Sequence, residues 1–502
     1  MYRKPKDQMS IEDFILPFEG KLNKNNRWVQ LASMIPWEKI ENKYASLFPE
    51  NVGNVAKPAR LALSALIIKE KLGCSDRETV EQIKENPYLQ YFAGFREYCD
   101  EPPFDFSLMV HFRKRFNLET MQEINEMICL AEQDNKDEDD DPPPTVSGEP
   151  PKTNENKKNK GKLILDATCA PADIRYPTDL SLLNEAREKL EAIIDTLYLP
   201  LKGAINKPRT YRIKARKQYL KIAKQKQPSK KKFRRAVGQQ LRFVARDLKH
   251  INKLLEQSPV KLTRKHKEQL QVIKELYRQQ QYMYKNKTHR VENRIVSISQ
   301  PHVRPIVRGK VSAATEFGAK VAISLVNGDA FLERLSWNNF NEGTTLIASL
   351  ENYKQRFGFY PETVIADMIY RNRDNLQYCK TKGIRLSGPK LGRPPLIKDK
   401  NELKLERQDA KIRNAVEGKL GEGKRRYGLG LIMARLKETS ETVIALQFLV
   451  MNLERRLRFL FFLFLRSLLG RISNRIIPKY CLNCNWVSSH RLKSATPHLE
   501  GS

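Results

Sequence analysis

Three carboxylates are placed where they could do chemistry: Asp166, Asp367 and Glu417. The runs KLILDATCAP and TVIAD read as buried strands that deliver Asp166 and Asp367 at their ends, and Glu417 falls on a long helix beginning near Glu402. In open α/β sheets, side chains at strand ends project from a rigid frame into a crevice. Two aspartates on adjacent strands then converge, and they repel unless hard cations lie between them. Mg²⁺ takes carboxylate oxygens, so three acids could hold one or two ions. A pair of ions about 3.5–4 Å apart suits phosphodiester chemistry, one activating the attacking oxygen and the other stabilising the leaving one. Each acid also has an ordinary use. Asp166 could cap the next segment, Asp367 could cap the helix after it, and Glu417 could pair with Arg413. Asp173, Asp179, Asp329, Asp374 and Glu422 are competitors nearby.

The helix around Glu417 carries two cations. At 100° per residue, Arg413, Glu417 and Lys424 share one face within about 40°, provided the helix persists through Gly418, Gly421 and Gly423. A carboxylate flanked by two cations fits a metal ligand beside bound phosphates, and equally a surface salt-bridge ladder.

The elements that must position these residues follow in order. A helical, strongly basic stretch runs from about 180 to 293. RIVSIS then reads as a strand, followed by AKVAISLV and AFLERLSW joined at Asn327-Gly328, a hairpin dipeptide. Next come a helix around Thr344 to Arg356, the TVIAD strand, a helix from Asn372 to Lys382, GIRLSG and the loop PKLGRPP. This order implies a mixed α/β sheet with helices on its faces and a large helical insertion, over 161–456.

Residues 1–132 read as all-helical. PARLALSALIIKEKLG ends at Gly73, Ser75 and Glu78 form a capping box, and Asn86-Pro87 closes that second helix. Ser107 is expected to cap a third helix carrying His111, Arg113, Lys114 and Arg115. The pattern suits a helix-turn-helix-like DNA reader, and also a bundle with a solvated basic face. Residues 133–160, beginning QDNKDEDDDPPP, read as an acidic, Pro-rich flexible linker. Residues 457–502 read as an apolar segment and a loose tail. Cys481 and Cys484 make half of a zinc site, with His490 and His498 at unpersuasive spacing.

The chain of 502 residues has 91 Lys+Arg against 58 Asp+Glu, a formal charge of +33. Such a surplus points to a polyanionic partner, nucleic acid or an acidic membrane face. Lys202 to Lys249 holds eighteen Lys or Arg and one acid, Asp247, with Tyr211, Tyr219, Phe233 and Phe243 interleaved. DNA phosphates would relieve that repulsion, through residues such as Lys230, Lys231, Lys232, Arg234 and Arg235. Seven scattered Cys argue against a disulfide framework and for a reducing compartment. No apolar run reaches the length of a membrane span, and the first residues carry no signal-peptide core.

The segments DATCAPADIRYPTDLSLLNEAR, RGKVSAATEFGAKVAISLVNGDAFLERLSWNNFNEGT, IADMIYRNRDNLQYCKTKGIRLSGPKLGRPP and VEGKLGEGKRRYGLGLIMARLKETSETVIALQFLVMNL strongly resemble bacterial insertion-sequence transposases of the DDE type, in the insertion-sequence-five-like superfamily. The resemblance covers about residues 10 to 456. It implies a ribonuclease H-like core with Asp166, Asp367 and Glu417 as catalytic, metal-binding acids, and Mg²⁺, with Mn²⁺ as a substitute, as the cofactor. Arg413, Glu417 and Lys424 match the family's spacing of Arg, three residues, Glu, six residues, Lys. Ala410 stands where that motif has Tyr, and Ile369 where the second-Asp motif has Gly.

The family implies cleavage at the element's ends and direct attack of the freed 3′-OH on target DNA. It further implies contacts to double-stranded terminal inverted repeats and target DNA, a homodimer on DNA, and residence in the bacterial cytoplasm at the nucleoid. A catalytically decayed, repressor-like DNA-binding derivative is the alternative, and an RNA-binding protein a third reading.

Overall fold

The computed structural model describes residues 2, 14–16, 20–48, 55–130, 159–307, 315–389, 392 and 400–476. The linker up to residue 158 and the Cys481/Cys484 pair thus lie outside the described residues, as does most of PKLGRPP. The chain divides into two units, Met1–Glu454 and Arg455–Ser502.

The first unit opens with helices α1 (Arg27–Met34), α2 (Trp37–Ala45), α3 (Ala59–Leu72), α4 (Asp76–Glu85), α5 (Pro87–Ala93), α6 (Leu108–Arg115) and α7 (Leu118–Leu130). Apolar spacing buries nearly every residue of α3 from Ala59 to Ile68, so it forms the axis of this bundle. Gly73 ends α3 at φ 66°, a conformation glycine adopts without steric cost. Ser75 accepts from the backbone N–H of Glu78 at 3.1 Å, and Asn86 closes α4 while capping α5. Ser107 makes no side-chain cap; instead its N–H donates to Asp105, which starts the turn into α6.

Strand β1 (Lys162–Pro171) follows, then four helices before the sheet resumes: α8 (Asp179–Tyr198), α9 (Arg212–Ala223), α10 (Lys230–Gln257) and α11 (Arg264–Asn286). They enclose their own core of Leu183, Leu190, Ile193, Val244, Ile251 and Ile273. RIVSIS forms no strand. Ile295 N–H donates to a side chain instead, Gln279 Oε1 at 3.0 Å, and Ser297 Oγ accepts from the N–H of Gln300, just past the run, at 3.1 Å. Pairing begins later, with β2 (Arg304–Val307).

β3 (Thr315–Val326) and β4 (Asp329–Ser336) form the hairpin, with both Asn327 and Gly328 at positive φ as a tight two-residue turn demands. α12 (Leu346–Phe357), β5 (Thr363–Ile365), α13 (Arg373–Thr381), β6 (Arg385–Leu386), α14 (Lys400–Arg426) and α15 (Lys437–Ile476) complete the chain. The six-stranded sheet runs β2-β3-β1-β5-β6, with β4 also on β3. β1 is antiparallel to β3 and parallel to β5, and β5 is parallel to β6. One face of the sheet packs Leu163, Leu165 and Val364 against Leu346, Leu350 and Tyr353 of the α12 region.

The N-terminal helices are joined to this core by polar bonds. Asn125 and Asn452 both donate to Ala330 O at 3.1 and 2.8 Å, and Thr442 donates to Arg113 O at 2.9 Å. In the second unit α15 runs on to Ile476, with Phe459, Phe461 and Phe462 exposed. No helix among the described residues is long and apolar enough to cross a membrane.

Candidate active site

Asp166 lies in the middle of β1, not at its end as the apolar run suggested. β1 continues because Ala167 to Pro171 remain paired with β3. β5 stops at Ile365, so β1 loses its parallel neighbour beyond Ile164. The register runs Lys162–Thr363, Leu163–Val364, Ile164–Ile365. Asp166 and Asp367 each lie two residues past the last pair. The crevice opens at this fork, where one strand goes on and the other turns away.

The departing turn is held tightly. Asp367 caps the short 3₁₀ turn Met368–Tyr370, its Oδ1 accepting from Met368 N–H at 2.7 Å. Asn375 donates to both Gly343 O (2.7 Å) and Tyr370 O (2.8 Å), stapling this turn to the one at 342–345. A Cβ on Gly343 would meet Ile369 O at 2.5 Å, so only glycine allows that approach. Tyr370 is fully buried beneath the turn, and burial pushes its hydroxyl pKa well up.

α14 packs on β1 and β5 and passes uninterrupted through Gly418, Gly421 and Gly423. A Cβ on Gly423 would sit 3.0 Å from Met451 Sδ and 3.3 Å from Leu429, so those side chains would have to yield by a few tenths of an ångström. Val416 and Leu420 bury their side chains, leaving Glu417 exposed between them. Arg413 links the acids: Nη2 is 3.0 Å from Glu417 Oε1 and Nη1 is 3.4 Å from Asp367 Oδ1. The ordinary uses anticipated for Asp367 and Glu417 are therefore both realised, and they bring the two acids to a single guanidinium. Lys424 is half-buried two turns further along α14.

Burial raises the Asp166 carboxyl above its ordinary range, against the Ala167 N–H that it accepts at 2.8 Å. The charges of Glu342 and Glu417 push in the same direction and Arg413 opposes them. Asp166 thus feels Glu417, Arg413 and a further acid, Glu342, which pairs with Lys320 at 2.9 Å. Glu342, Lys320, Gly343 and Asn375 were not singled out in the sequence. Their roles come from contacts between distant turns, for which one chain offers no local signal.

Among the described residues, no three His, Cys, Asp or Glu side chains are gathered closely enough to hold an ion. The positive charge between Asp367 and Glu417 is Arg413. The three acids offer carboxylate oxygens alone, the donor type that a hard divalent cation takes and a thiolate- or imidazole-loving one does not.

Two basic surfaces were expected to meet DNA. At the start of α10, Lys230, Lys231, Lys232 and Arg235 are exposed, while Val237, Leu241 and Val244 turn to the core. Arg234 is partly engaged, its guanidinium 4.3 Å from the Tyr284 ring centre and donating to Tyr284 O. Cations at a helix N-terminus are disfavoured by the helix dipole, so this end gains from an anion. On α6, Arg113 is buried in a bidentate pair with Asp76 (3.0 and 2.5 Å), and Arg115 lies 4.0 Å from the Phe48 ring. Only His111 and Lys114 of that expected reading face remain both exposed and uncommitted.

Residues 364–454 match the family described as "Transposase DDE domain", and residues 16–115 match "Transposase domain (DUF772)". An uncharacterized protein, ORF8 in the nfe locus of Rhizobium meliloti, is 28% identical over 169 residues, 34% of this chain and 73% of that protein. No solved structure matches. The DDE family's match contains Asp367, Arg413, Glu417 and Lys424, and both matched segments are similar to transposase domains.

Proposed function

We propose that Asp166, Asp367 and Glu417 are the catalytic acids of this DNA transposase and hold divalent metal, Mg²⁺ with Mn²⁺ as a substitute, in a ribonuclease H-like core. What supports this is the parallel pairing of β1 and β5 up to Ile164–Ile365, two residues before each aspartate, with Arg413 on α14 reaching both Asp367 and Glu417. A bound divalent ion supplies Lewis-acid polarisation of the phosphodiester and a lowered pKa for the attacking hydroxyl.

The chain's own groups do the rest. Asp367 is fixed by its turn and the Asn375 staple, so its oxygens are aimed before substrate arrives. Arg413, released from the carboxylates, is within reach of a phosphate between them, and Lys424 adds positive charge on the same helix. In the first step water displaces the 3′ oxygen at the element's end, leaving a 3′-OH there and a 5′-phosphate on the other fragment. In the second, that 3′-OH attacks a target phosphodiester and one target strand leaves with its own 3′-OH. Lys230, Lys231, Lys232, Arg234 and Arg235 hold the DNA backbone, and the helices of residues 1–132 contribute to recognition of the terminal inverted repeats. Pairing two ends calls for a homodimer on DNA, acting at the bacterial nucleoid.

Cleavage of duplex DNA carrying the element's end, in Mg²⁺ or Mn²⁺, tests the assignment. Asp367→Asn should reduce the cleavage rate by at least about a thousandfold while DNA affinity stays within a few-fold. Equal cleavage by wild type and variant would remove Asp367 from the site.

A further inference from the structure

The turn before α9 and the first turns of that helix form an open groove of about 800 Å³, lined by Lys207, Arg209, Tyr211, Ile213, Lys214 and Lys217. Its rim is cationic. Lys207 pairs with Asp195 at 2.8 Å, but no carboxylate among the described residues pairs with Arg209, Lys214 or Lys217. Its middle is apolar: Tyr211 is 47% exposed and Ile213 71% exposed. Tyr211 is also one of few non-glycine residues at positive φ (56°), a conformation uncommon for a bulky side chain. It holds the N-cap position of α9 without making a cap hydrogen bond, so helix capping does not account for it. The Arg246 guanidinium lies 4.7 Å from its ring centre and steadies the ring. Thr210, buried beside it, and the bond between the Arg209 backbone and His250 fasten the turn to the helices beneath.

A ligand matching this surface carries regularly spaced negative charge and flat apolar faces. Duplex DNA supplies the first but closes its base faces by stacking and pairing. An unpaired strand supplies both. We propose that this groove binds a single-stranded segment of DNA, its phosphates on Arg209, Lys214 and Lys217 and its bases against Tyr211 and Ile213. The proposal rests on the transposase reading only for the source of such a strand, a DNA end opened or nicked at the element's boundary. It needs no catalytic acid and no metal.

The test is fluorescence anisotropy in EDTA at one fixed salt concentration, comparing labelled oligo(dT) with a closed duplex dumbbell of equal phosphate number. Tyr211→Ala and Ile213→Ser should each weaken oligo(dT) binding about tenfold and leave dumbbell binding within twofold, while Tyr211→Phe binds like wild type. Photocross-linking of a 5-iodouracil oligonucleotide should map to residues 207–218. Equal losses on both DNAs, no loss on either, cross-links confined to Lys230–Arg235, or displacement of the oligonucleotide by polyglutamate as readily as by oligo(dT) would each overturn it. Asp367→Asn should bind oligo(dT) normally. A failure of the catalytic assignment would therefore show only in cleavage, and a failure of this one only in strand binding.

Discussion

Asp247 shows how a single side chain can govern the stability of the insertion. It is fully buried on α10, neither carboxyl oxygen accepts a hydrogen bond, and burial, aided by Glu191, pushes its pKa up to about 8. The cations facing it, Arg187 from α8, Arg212 from α9 and Arg246 from its own helix, offset only part of that cost. Because the folded pKa lies above the unfolded one, the folded chain holds the proton more tightly. Stability is full below the ordinary carboxylate range and is lost as pH rises through about 8. Asp247→Asn should flatten this dependence. The variant is expected to melt with wild type near the acid end and, at pH 8 and above, to exceed it by on the order of a few kcal/mol. Thermal melts from pH 5 to pH 9 measure the difference, and parallel curves would show that Asp247 stays ionised.

At the scale of elements, the site depends on two turns that no regular element supplies. The 342–345 turn and the Met368–Tyr370 turn touch through Gly343, and Asn375 on α13 bonds to both. Gly343→Ala must push the Ile369 carbonyl away and shift Asp367 with it. Since small displacements of a reacting group are costly, a loss of at least about tenfold in single-turnover cleavage is expected. DNA affinity should be nearly unchanged, because no phosphate-binding residue moves. Loss of affinity in step with rate would mean that the turn itself holds DNA.

For the whole molecule, charge is the dominant property. The insertion places eighteen cations and one acid within Lys202–Lys249 on a separately packed helical group. DNA binding should therefore weaken steeply with salt, in proportion to the phosphates neutralised. Replacing Lys230, Lys231, Lys232 and Arg235 with Ala should lower the slope of log K against log[salt] by up to about 4. Arg234 is left in place because it also braces Tyr284. An unchanged slope would locate the DNA elsewhere on the chain.

Most elements and the candidate acids are legible in the local pattern of the chain. Apolar periodicity marked α3, the Asn327-Gly328 dipeptide marked the hairpin, and charge marked the insertion, because each depends on residues close together in the chain. Residue types likewise mark Asp166, Asp367 and Glu417 as candidate hard-oxygen donors. Local pattern failed where a backbone found nonlocal partners. RIVSIS has strand composition, yet Gln279 from α11 takes its N–H; the run before Asp166 looks like a strand ending, yet β3 prolongs it. Arg113 has the spacing of a reading face, yet Asp76, from a different helix, pairs with it and buries it. What the chain order does not reveal is that Arg413 stands between Asp367 and Glu417 and that the charge of Glu342 reaches Asp166. Those facts are set by strand register and by the packing of α14 across the sheet, which bring together residues about two hundred positions apart.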